Sequence, residues 1–254
     1  MTSGVMAKVL VADSDLDRAD LIAYALRRNG FSVVTAFDGE SVVRLWRDQQ
    51  PDMVLLNMAL PKTAGWEVVR RIRFQDAATP IVAFGLEEES DVARALDIGV
   101  DDHVGDPLSV RFLVAKLHAL LRRQTSSGRY EPPEELEVNG FRLDPRFYRV
   151  WCSRGEVNLT RLEFHLLYEL VRHQGTPLSA AVLTERVWGY HTGPVCSSVR
   201  THIRHLRQKV EPDPSRPRHI LTVKGAGYLF QAEPPWDEEA VPEGERSPAT
   251  VAGT

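Results

Sequence analysis

The segment that decides the fold of the N-terminal half is Pro51-Asp-Met-Val-Leu-Leu-Asn57-Met-Ala-Leu-Pro61-Lys-Thr-Ala-Gly65. Its apolar run from Met53 to Leu56 ends in the polar residue Asn57, and a loop that contains proline and glycine follows. This pattern is typical of a buried parallel strand that brings a side chain to the carboxyl edge of a sheet, where α/β folds place their ligand and reaction sites. The sequence therefore predicts a site at Asn57.

Residues 1–124 alternate short apolar runs with segments of helical periodicity. Further apolar runs lie at residues 9–12, 31–35, 80–84 and 103–104, and helical segments separate them. Strands that alternate with helices at this spacing indicate a parallel sheet that is covered on both faces. We therefore predict an α/β domain with a doubly wound, five-stranded parallel sheet.

The C-terminal half has a different pattern. Three segments between residues 136 and 160 alternate apolar and polar residues and turn at glycine or proline, which is typical of antiparallel strands. Thr160, with Glu163 three residues later, predicts the capped start of a helix. A second helix is expected from about residue 179 to Trp188, and a hairpin over residues 219–230. Short strands, helices and a closing hairpin together indicate an α+β domain.

The third helix of this half is amphipathic and strongly basic. Val199, Ile203, Leu206 and Val210 form one apolar stripe at helical spacing. The other positions include several basic residues and no acid before Glu211. Solubilising faces normally mix both signs of charge, so we interpret this uniformly basic face as a surface for the DNA major groove.

Composition divides the chain into two domains, a linker and a tail. The polar, proline-containing residues 125–135 are predicted to form the linker, and the acidic residues 234–254 a disordered tail. Residues 1–124 carry 15 lysines and arginines against 18 acidic residues, whereas residues 136–233 carry 14 against 9. A basic domain attached to an acidic one suggests a polyanionic partner for the second half only.

The bulk composition predicts a cytoplasmic protein with no membrane segment. Mean hydropathy is −0.25, and no apolar stretch approaches the length of a membrane span. Residues 1–8 are too few for a signal peptide ahead of the first strand. The two cysteines, Cys152 and Cys196, match no metal spacing. We expect no metal and no cofactor.

Residues 7–123 resemble the receiver domains of two-component response regulators, in which the residue at the position of Asn57 is an aspartate that accepts a phosphoryl group. The resemblance maps the family's phosphorylation pocket onto Asp13, Ser14, Asn57, Gly85, His103 and Asp106. In the family these positions carry two metal-binding acids, the acceptor aspartate, a hydroxyl residue, an aromatic switch residue and a lysine. An amide has no anionic oxygen that attacks phosphorus. The resemblance therefore implies a degenerate receiver that is not phosphorylated.

Other uses of the altered pocket stay open at this point. Asp13, Asp15 and Asp106 are candidates to gather around a cation together with the Asn57 carbonyl. Acids near a helix N-terminus are favoured without any ligand, so we expect solvated loop acids instead. A small ligand in the vacated pocket and a pH response of His103 are further hypotheses.

Three stretches between residues 136 and 230 resemble the winged-helix domain of OmpR/PhoB-type regulators: Leu159-Thr-Arg-Leu-Glu-Phe164, Val199-Arg-Thr-His-Ile-Arg-His-Leu-Arg207 and Thr222-Val-Lys-Gly-Ala-Gly-Tyr228. The resemblance implies that a recognition helix and a wing bind double-stranded DNA through Arg200, His202, Arg204, His205, Arg207, Thr222 and Lys224. The family commonly has an acid where Arg200 stands, which implies a different DNA contact there. The loop over residues 189–197 corresponds to a segment that often contacts RNA polymerase.

A set of charged residues resembles the dimer face of OmpR/PhoB-type receivers, which is formed by the fourth helix, fifth strand and fifth helix. The set consists of Arg94, Asp97, Asp101, Asp102, Lys116 and Arg122. Opposite charges on one patch suit an isologous dimer, although surface ion pairs are also common without a partner. We predict a homodimer.

The sequence thus predicts a sequence-specific, DNA-binding transcription regulator that acts independently of aspartyl phosphorylation, and not an enzyme. One alternative is a regulator that is gated by a small ligand at the altered pocket. Another is a protein–protein adaptor, which would expose apolar anchors where the third helix is basic. A Mg²⁺-dependent phosphotransfer enzyme is disfavoured by Asn57, Ser14 and Asp106 together.

Overall fold

The structure is a computed structural model of the 254-residue chain. It describes residues 6–86, 88–105, 107–125, 134–138, 140–189 and 196–232, without the side chains of residues 122–125 and 196–198. Asp106, the predicted tail, and most of both the predicted linker and the loop expected to contact RNA polymerase lie outside the described residues. Within the described part, no helix is long and apolar enough to cross a membrane.

The N-terminal domain contains a five-stranded parallel sheet, which confirms the predicted fold class. Its strands are β1 (Lys8–Ala12), β2 (Ser32–Ala36), β3 (Met53–Asn57), β4 (Ile81–Phe84) and β5 (Asp102–His103). They lie side by side in the order β2-β1-β3-β4-β5, and neighbouring strands run parallel. The helices of this domain are α1 (Leu16–Arg28), α2 (Gly39–Gln49), α3 (Gly65–Gln75), α4 (Glu89–Asp97) and α5 (Val110–Thr125).

Alternate side chains of each strand supply two separate apolar layers, one on each face of the sheet. Val9 and Leu55 belong to one layer, whereas Leu10 and Leu56 belong to the other. All five residues of β3 are buried, which accounts for its continuous apolar run. This burial fixes Asn57 at the carboxyl edge of the sheet.

The C-terminal domain combines antiparallel strands with three helices, as predicted for a winged helix. A four-stranded sheet contains β6 (Leu136–Val138), β7 (Phe141–Asp144), β8 (Arg149–Cys152) and β9 (Gly155–Asn158). Its helices are α6 (Arg161–Arg172), α7 (Ala180–Trp188) and α8 (Cys196–Val210). The closing hairpin pairs β10 (Ile220–Val223) with β11 (Gly227–Phe230).

Two local predictions for this domain are confirmed. Thr160 Oγ1 accepts a hydrogen bond from the Glu163 amide at 3.4 Å, and Glu163 Oε2 accepts one from the Thr160 amide at 2.7 Å, which closes the capping box of α6. The apolar stripe of α8 is buried along its whole length. The stripe presses α8 onto the domain core and leaves its basic side chains near the surface.

The two domains pack against each other. Helix α4 of the first domain contacts α8 of the second. The end of α7 also approaches α5 closely, because a Cβ added at Gly189 would lie 3.2 Å from the carbonyl oxygen of Ala119. The predicted DNA-recognition helix is therefore partly covered by the N-terminal domain in this arrangement.

Candidate functional site

The amide of Asn57 is fully engaged inside the N-terminal domain. Its Nδ2 donates a hydrogen bond to Asp13 Oδ1 at 2.9 Å, and its Oδ1 accepts one from the Ala59 amide at 2.9 Å. The residue is 2% exposed. Burial of a polar group is stable only when its hydrogen bonds are made, and here both ends of the amide are satisfied. Asn57 thus joins the ends of the first and third strands.

Arg18, which the sequence analysis did not single out, places a cation at this edge. Its Nε lies 2.5 Å from Asp13 Oδ2, and its Nη2 lies 2.9 Å from Asp13 Oδ1, which is a bidentate ion pair. Its guanidinium also lies over the ring of Phe84, 5.6 Å from the centroid. The guanidinium neutralises the carboxylate that a receiver would use to hold a metal ion. The signal in the sequence is its position one helical turn beyond the acids Asp13 and Asp15.

The pKa of Asp13 reflects this environment. Burial by itself raises the pKa of this carboxyl group. Hydrogen bonds from Arg18, from Asn57 and from the Asp15 backbone oppose that effect and together hold the pKa below its ordinary value. Asp13 is therefore a paired carboxylate at neutral pH.

Gly85 makes room for the Asn57 side chain. Its φ is +69°, in the left-handed region, and a Cβ added there would lie 2.5 Å from Asn57 Oδ1. A serine or threonine at this position would clash with the amide as it stands and would also strain the backbone. The hydroxyl that receivers place here thus has no room beside the present Asn57 rotamer.

The two other pocket residues that the structure describes, Ser14 and His103, do not converge on a ligand site. Ser14 is exposed, and Asp15 accepts a hydrogen bond from the Arg18 amide as the N-cap of α1. His103 is half-buried, and its Nδ1 makes no hydrogen bond to any residue that the structure describes. Burial lowers the pKa of His103, although Asp102 nearby raises it in part. The hypothesis of three carboxylates around a cation is therefore unsupported, because Asp15 caps a helix and Asp13 is paired with Arg18.

The predicted DNA-binding residues divide into two groups. Helix α8 and the β10–β11 hairpin enclose a groove of about 550 Å³, and the predicted residues that line it are Arg200, Arg204, Arg207 and Thr222. Lys224 is exposed at the turn of the hairpin. Arg200, Arg204, Arg207 and Thr222 therefore share one groove that combines the helix with the hairpin, and Lys224 lies at the hairpin turn.

Arg207 has a structural role within this groove. It is half-buried, and it donates hydrogen bonds from Nε to the Ile220 carbonyl at 2.9 Å and from Nη2 to Thr222 Oγ1 at 2.8 Å. Burial lowers the pKa of its guanidinium. Arg207 thus ties the recognition helix to the wing, while Arg200 and Arg204 are exposed.

His202 and His205 lie away from the groove. His202 is 2% exposed, and its ring meets the Trp188 ring edge-on with centroids 5.2 Å apart. His205 is 6% exposed, and its Nε2 lies 2.6 Å from Asp97 Oδ1. Burial lowers the pKa of His205, and the hydrogen bond with Asp97 offsets part of that shift. The two histidines border the apolar stripe of α8, so packing turns them inward, whereas the sequence analysis placed them on the DNA surface.

Asp97 connects the two domains. It forms an ion pair with Arg204 of the recognition helix as well as its contact with His205. His205 also faces Glu163, because its Nδ1 lies 4.0 Å from Glu163 Oε1. The other oxygen of this carboxylate, Oε2, lies 2.6 Å from Lys209 Nζ. A residue that the sequence assigned to a dimer face therefore contacts the predicted DNA-recognition helix of its own chain.

Most of the other residues expected at the dimer face also have partners within the chain. Arg73 pairs with Asp101 at 2.6 Å, and Lys116 pairs with Asp102 at 2.8 Å. Both aspartates are 1% exposed, and burial raises the pKa of Asp101 while Arg73 opposes that effect. Arg94 lies over the Trp66 ring, 4.5 Å from its centroid, and the side chain of Arg122 is outside the described part. In this arrangement Asp101, Asp102 and Lys116 are buried and ion-paired within the chain, whereas Arg94 and Asp97 are exposed.

Comparison with known proteins assigns both domains. Residues 9–118 match the family of response regulator receiver domains, and residues 154–230 match the family described as transcriptional regulatory protein, C terminal. The chain is an OmpR/PhoB-type response regulator. The resemblance inferred from the sequence is thereby confirmed, as is the association of the response regulator with DNA binding and transcription regulation.

Solved structures show a similar fold. A mutant of RitR is 22% identical with a TM-score of 0.70, and the match covers 89% of this chain and 99% of RitR. DrrB of Thermotoga maritima, described as an OmpR/PhoB homolog, is 25% identical with a TM-score of 0.47, and the match covers 89% of this chain and all of DrrB (100%). A two-component response regulator from Clostridium difficile is 29% identical with a TM-score of 0.45 over 46% of this chain and 98% of its own. The RitR likeness extends over both domains and shows that this response regulator shares its fold.

Proposed function

We propose that this response regulator binds DNA sequence-specifically and controls transcription without phosphorylation at position 57, acting as a dimer on DNA. The observation that carries the proposal is the cluster of Asn57, Asp13 and Arg18. The Asn57 amide stands at the position of the phosphoacceptor, and the Arg18 guanidinium takes the place of the metal ion. Both groups donate hydrogen bonds to the Asp13 carboxylate.

Each element of phosphoryl transfer to a receiver is lost at this edge. The Asn57 amide has no anionic oxygen for attack on phosphorus. The Asp13 carboxylate, which would help to hold a divalent cation, is occupied by Arg18. Gly85 supplies no hydroxyl to the phosphoryl oxygens. The same packing also weighs against the alternative of a small ligand in this pocket, because the Arg18 guanidinium occupies it.

The groove between α8 and the wing supports DNA as the partner. Arg200, Arg204 and Lys224 present positive charge on one exposed surface, and Arg207 fixes the helix relative to the wing. Exposed arginines on a helix suit the base edges of a major groove, and a lysine at the wing tip suits a phosphate. Ile203, Pro214 and Tyr228 also line the groove, but none of its described lining residues is a large, exposed apolar side chain of the kind that anchors a protein partner. We therefore favour DNA over a protein partner.

The contact of Asp97 with Arg204 and His205 suggests how the dimer forms. A dimer through the face of α4, β5 and α5 requires Asp97 to leave the recognition helix of its own chain. We infer that the closed arrangement and the dimer are alternative states, and that DNA favours the dimer because it needs Arg204. Contacts with RNA polymerase through residues 189–197 remain part of the proposal.

Occupancy mapping across the genome would supply operators for a test in vitro. The purified, unphosphorylated protein is expected to shift an operator fragment at least about 1000-fold more tightly than a random fragment at fixed salt, as specific regulators do. Sedimentation on the operator is expected to show two chains per site. Equal affinity for both fragments would contradict sequence-specific binding, and one chain per site would contradict the dimer.

A further inference from the structure

A cleft between the two domains, remote from both sites described above, has the features of a binding site. It has a volume of about 400 Å³, within the range of about 300–1,000 Å³ that is typical of small-molecule sites. The N-terminal domain contributes the loops around Pro51 and Pro80, and the C-terminal domain contributes Tyr148 and Arg161. The cleft exists only where the two domains meet.

The positively charged residue in the lining of this cleft is Arg161. The residue is only 6% exposed, yet within the described part of the chain no acceptor lies within hydrogen-bonding or ion-pairing distance of its side chain. A guanidinium that lines a cleft and has no partner there is well satisfied by a planar carboxylate or phosphate group of a ligand. Arg161 is also the first residue of the 12-residue helix α6, whose N-terminus favours negative charge.

Tyr148 also lines the cleft, and its backbone is strained. Its φ is +53°, a region that a bulky residue rarely adopts, and its carbonyl accepts a hydrogen bond from the Leu159 amide at 3.0 Å. Its ring packs edge-on against Phe164 at a centroid distance of 5.6 Å. Such strain persists where the surroundings fix a residue for a purpose. Here it holds Tyr148 in the wall of the cleft that Arg161 also lines.

The remaining walls define the charge and shape of the ligand. Pro51, Ala78 and Pro80 are apolar and suit a flat or ring-shaped body. Asp52 also lines the cleft, and its Oδ2 accepts a hydrogen bond from the Lys8 backbone amide at 2.7 Å. This carboxylate repels a second negative charge, so the cleft suits a single anionic group at the Arg161 end.

We propose that this cleft binds a small molecule with one carboxylate or phosphate group and an apolar body, held by Arg161 and the Tyr148 ring across the domain boundary. The site is independent of the state of Asn57. Its ligand contacts both domains and therefore stabilises the arrangement in which α4 covers α8.

Calorimetric titration of the full chain with benzoate, phenyl phosphate and neutral benzamide tests the site. We expect saturable binding of one molecule per chain for at least one of the two anions, and at least tenfold weaker binding of benzamide. Which anion binds identifies the headgroup. Absence of saturable binding by both anions, or binding of benzamide as tight as theirs, would overturn the proposal.

Variants locate the binding. Arg161→Gln is expected to weaken binding of the anion at least tenfold. Ala78→Phe is expected to weaken it by as much, because the larger side chain fills the cleft from the N-terminal domain without changing any charge. Arg172→Gln, at the far end of α6, and Arg200→Gln, in the DNA groove, are expected to bind within twofold of the unmodified chain. Unchanged binding by Ala78→Phe, or by a folded Arg161→Gln, would overturn the site, as would loss in Arg200→Gln alone.

Discussion

The carboxyl edge of the N-terminal sheet and the groove beside α8 both contain arginines, but the surroundings differ. At the edge, Arg18 forms a bidentate pair with Asp13, whose side chain is inaccessible to solvent. In the groove, Arg200 and Arg204 are exposed and share the wall with uncharged Thr222. The first arrangement neutralises charge inside a domain, and the second presents charge to a partner. We propose on this basis that the receiver site has lost its phosphoryl chemistry, while the groove keeps the means to bind a polyanion.

The largest effect is expected on operator binding, when the arginines of the groove beside α8 are replaced. Each arginine contact with DNA contributes about 1–3 kcal/mol, so Arg200→Ala combined with Arg204→Ala is expected to weaken operator binding by about 100-fold or more. A shift assay at fixed salt measures it, with Arg172→Ala, exposed on α6, as the control that retains affinity. Unchanged affinity in the double variant would remove the groove as the DNA surface and favour the adaptor.

The next largest effect is expected on stability, when Arg18 at the carboxyl edge of the N-terminal sheet is replaced. Arg18→Ala leaves the buried Asp13 carboxylate without its counter-ion, although the bonds from Asn57 and the Asp15 backbone remain. We expect the free energy of unfolding to fall by about 2 kcal/mol, less than for a fully buried pair. Urea unfolding at pH 7 measures the change. Arg44→Ala, exposed on α2, is the control and is expected to change it by less than about 0.5 kcal/mol. Equal stability of the two variants would show that Arg18 does not neutralise the edge.

The stability that Asp13 contributes at this edge is expected to depend on pH. Because the folded pKa of Asp13 lies below its unfolded value, the ionised group stabilises the fold above the unfolded pKa of about 3.9, and this contribution is lost as the pH falls through the folded pKa. The difference in unfolding free energy between the unmodified chain and Asp13→Asn is therefore expected to shrink between pH 6 and pH 3. A difference that stays constant over this range would contradict the pairing.

The smallest effect on operator affinity is expected at the contact between α4 and α8, which joins the two domains. Asp97→Asn removes the charge that engages Arg204, and both side chains of this pair are about half exposed. Exposed ion pairs contribute about 0–1 kcal/mol, so operator affinity is expected to rise by about two- to fivefold. Glu89→Gln, which removes an exposed acid at the other end of α4, serves as the control. Weaker operator binding by Asp97→Asn would show that Asp97 does not oppose the DNA-bound state.

Local patterns in the sequence predicted the fold and the edge position of Asn57. The buried run of β3, the capping box at Thr160 and the apolar stripe of α8 each depend on residues close in sequence, and each is confirmed. The inward position of His202 depends on its packing against Trp188 within the C-terminal domain. The contacts of Asp97 with Arg204 and His205 depend on how the two domains pack, and local periodicity encodes neither arrangement. The pairing of Arg18 with Asp13 depends on the geometry of the loop between β1 and α1. The spacing of the two residues in the sequence does not determine that geometry.

We expect the edge cluster of Asn57, Asp13 and Arg18 to exclude phosphorylation, and the intact mass of the protein after incubation with acetyl phosphate and Mg²⁺ measures this. The unmodified chain is expected to gain no phosphoryl group. Asn57→Asp is expected to gain none either, because Arg18 still occupies the carboxylate of Asp13 that would hold the metal and Gly85 still lacks a hydroxyl. A stoichiometric, hydroxylamine-labile phosphoryl adduct on the unmodified chain, or on Asn57→Asp alone, would contradict it.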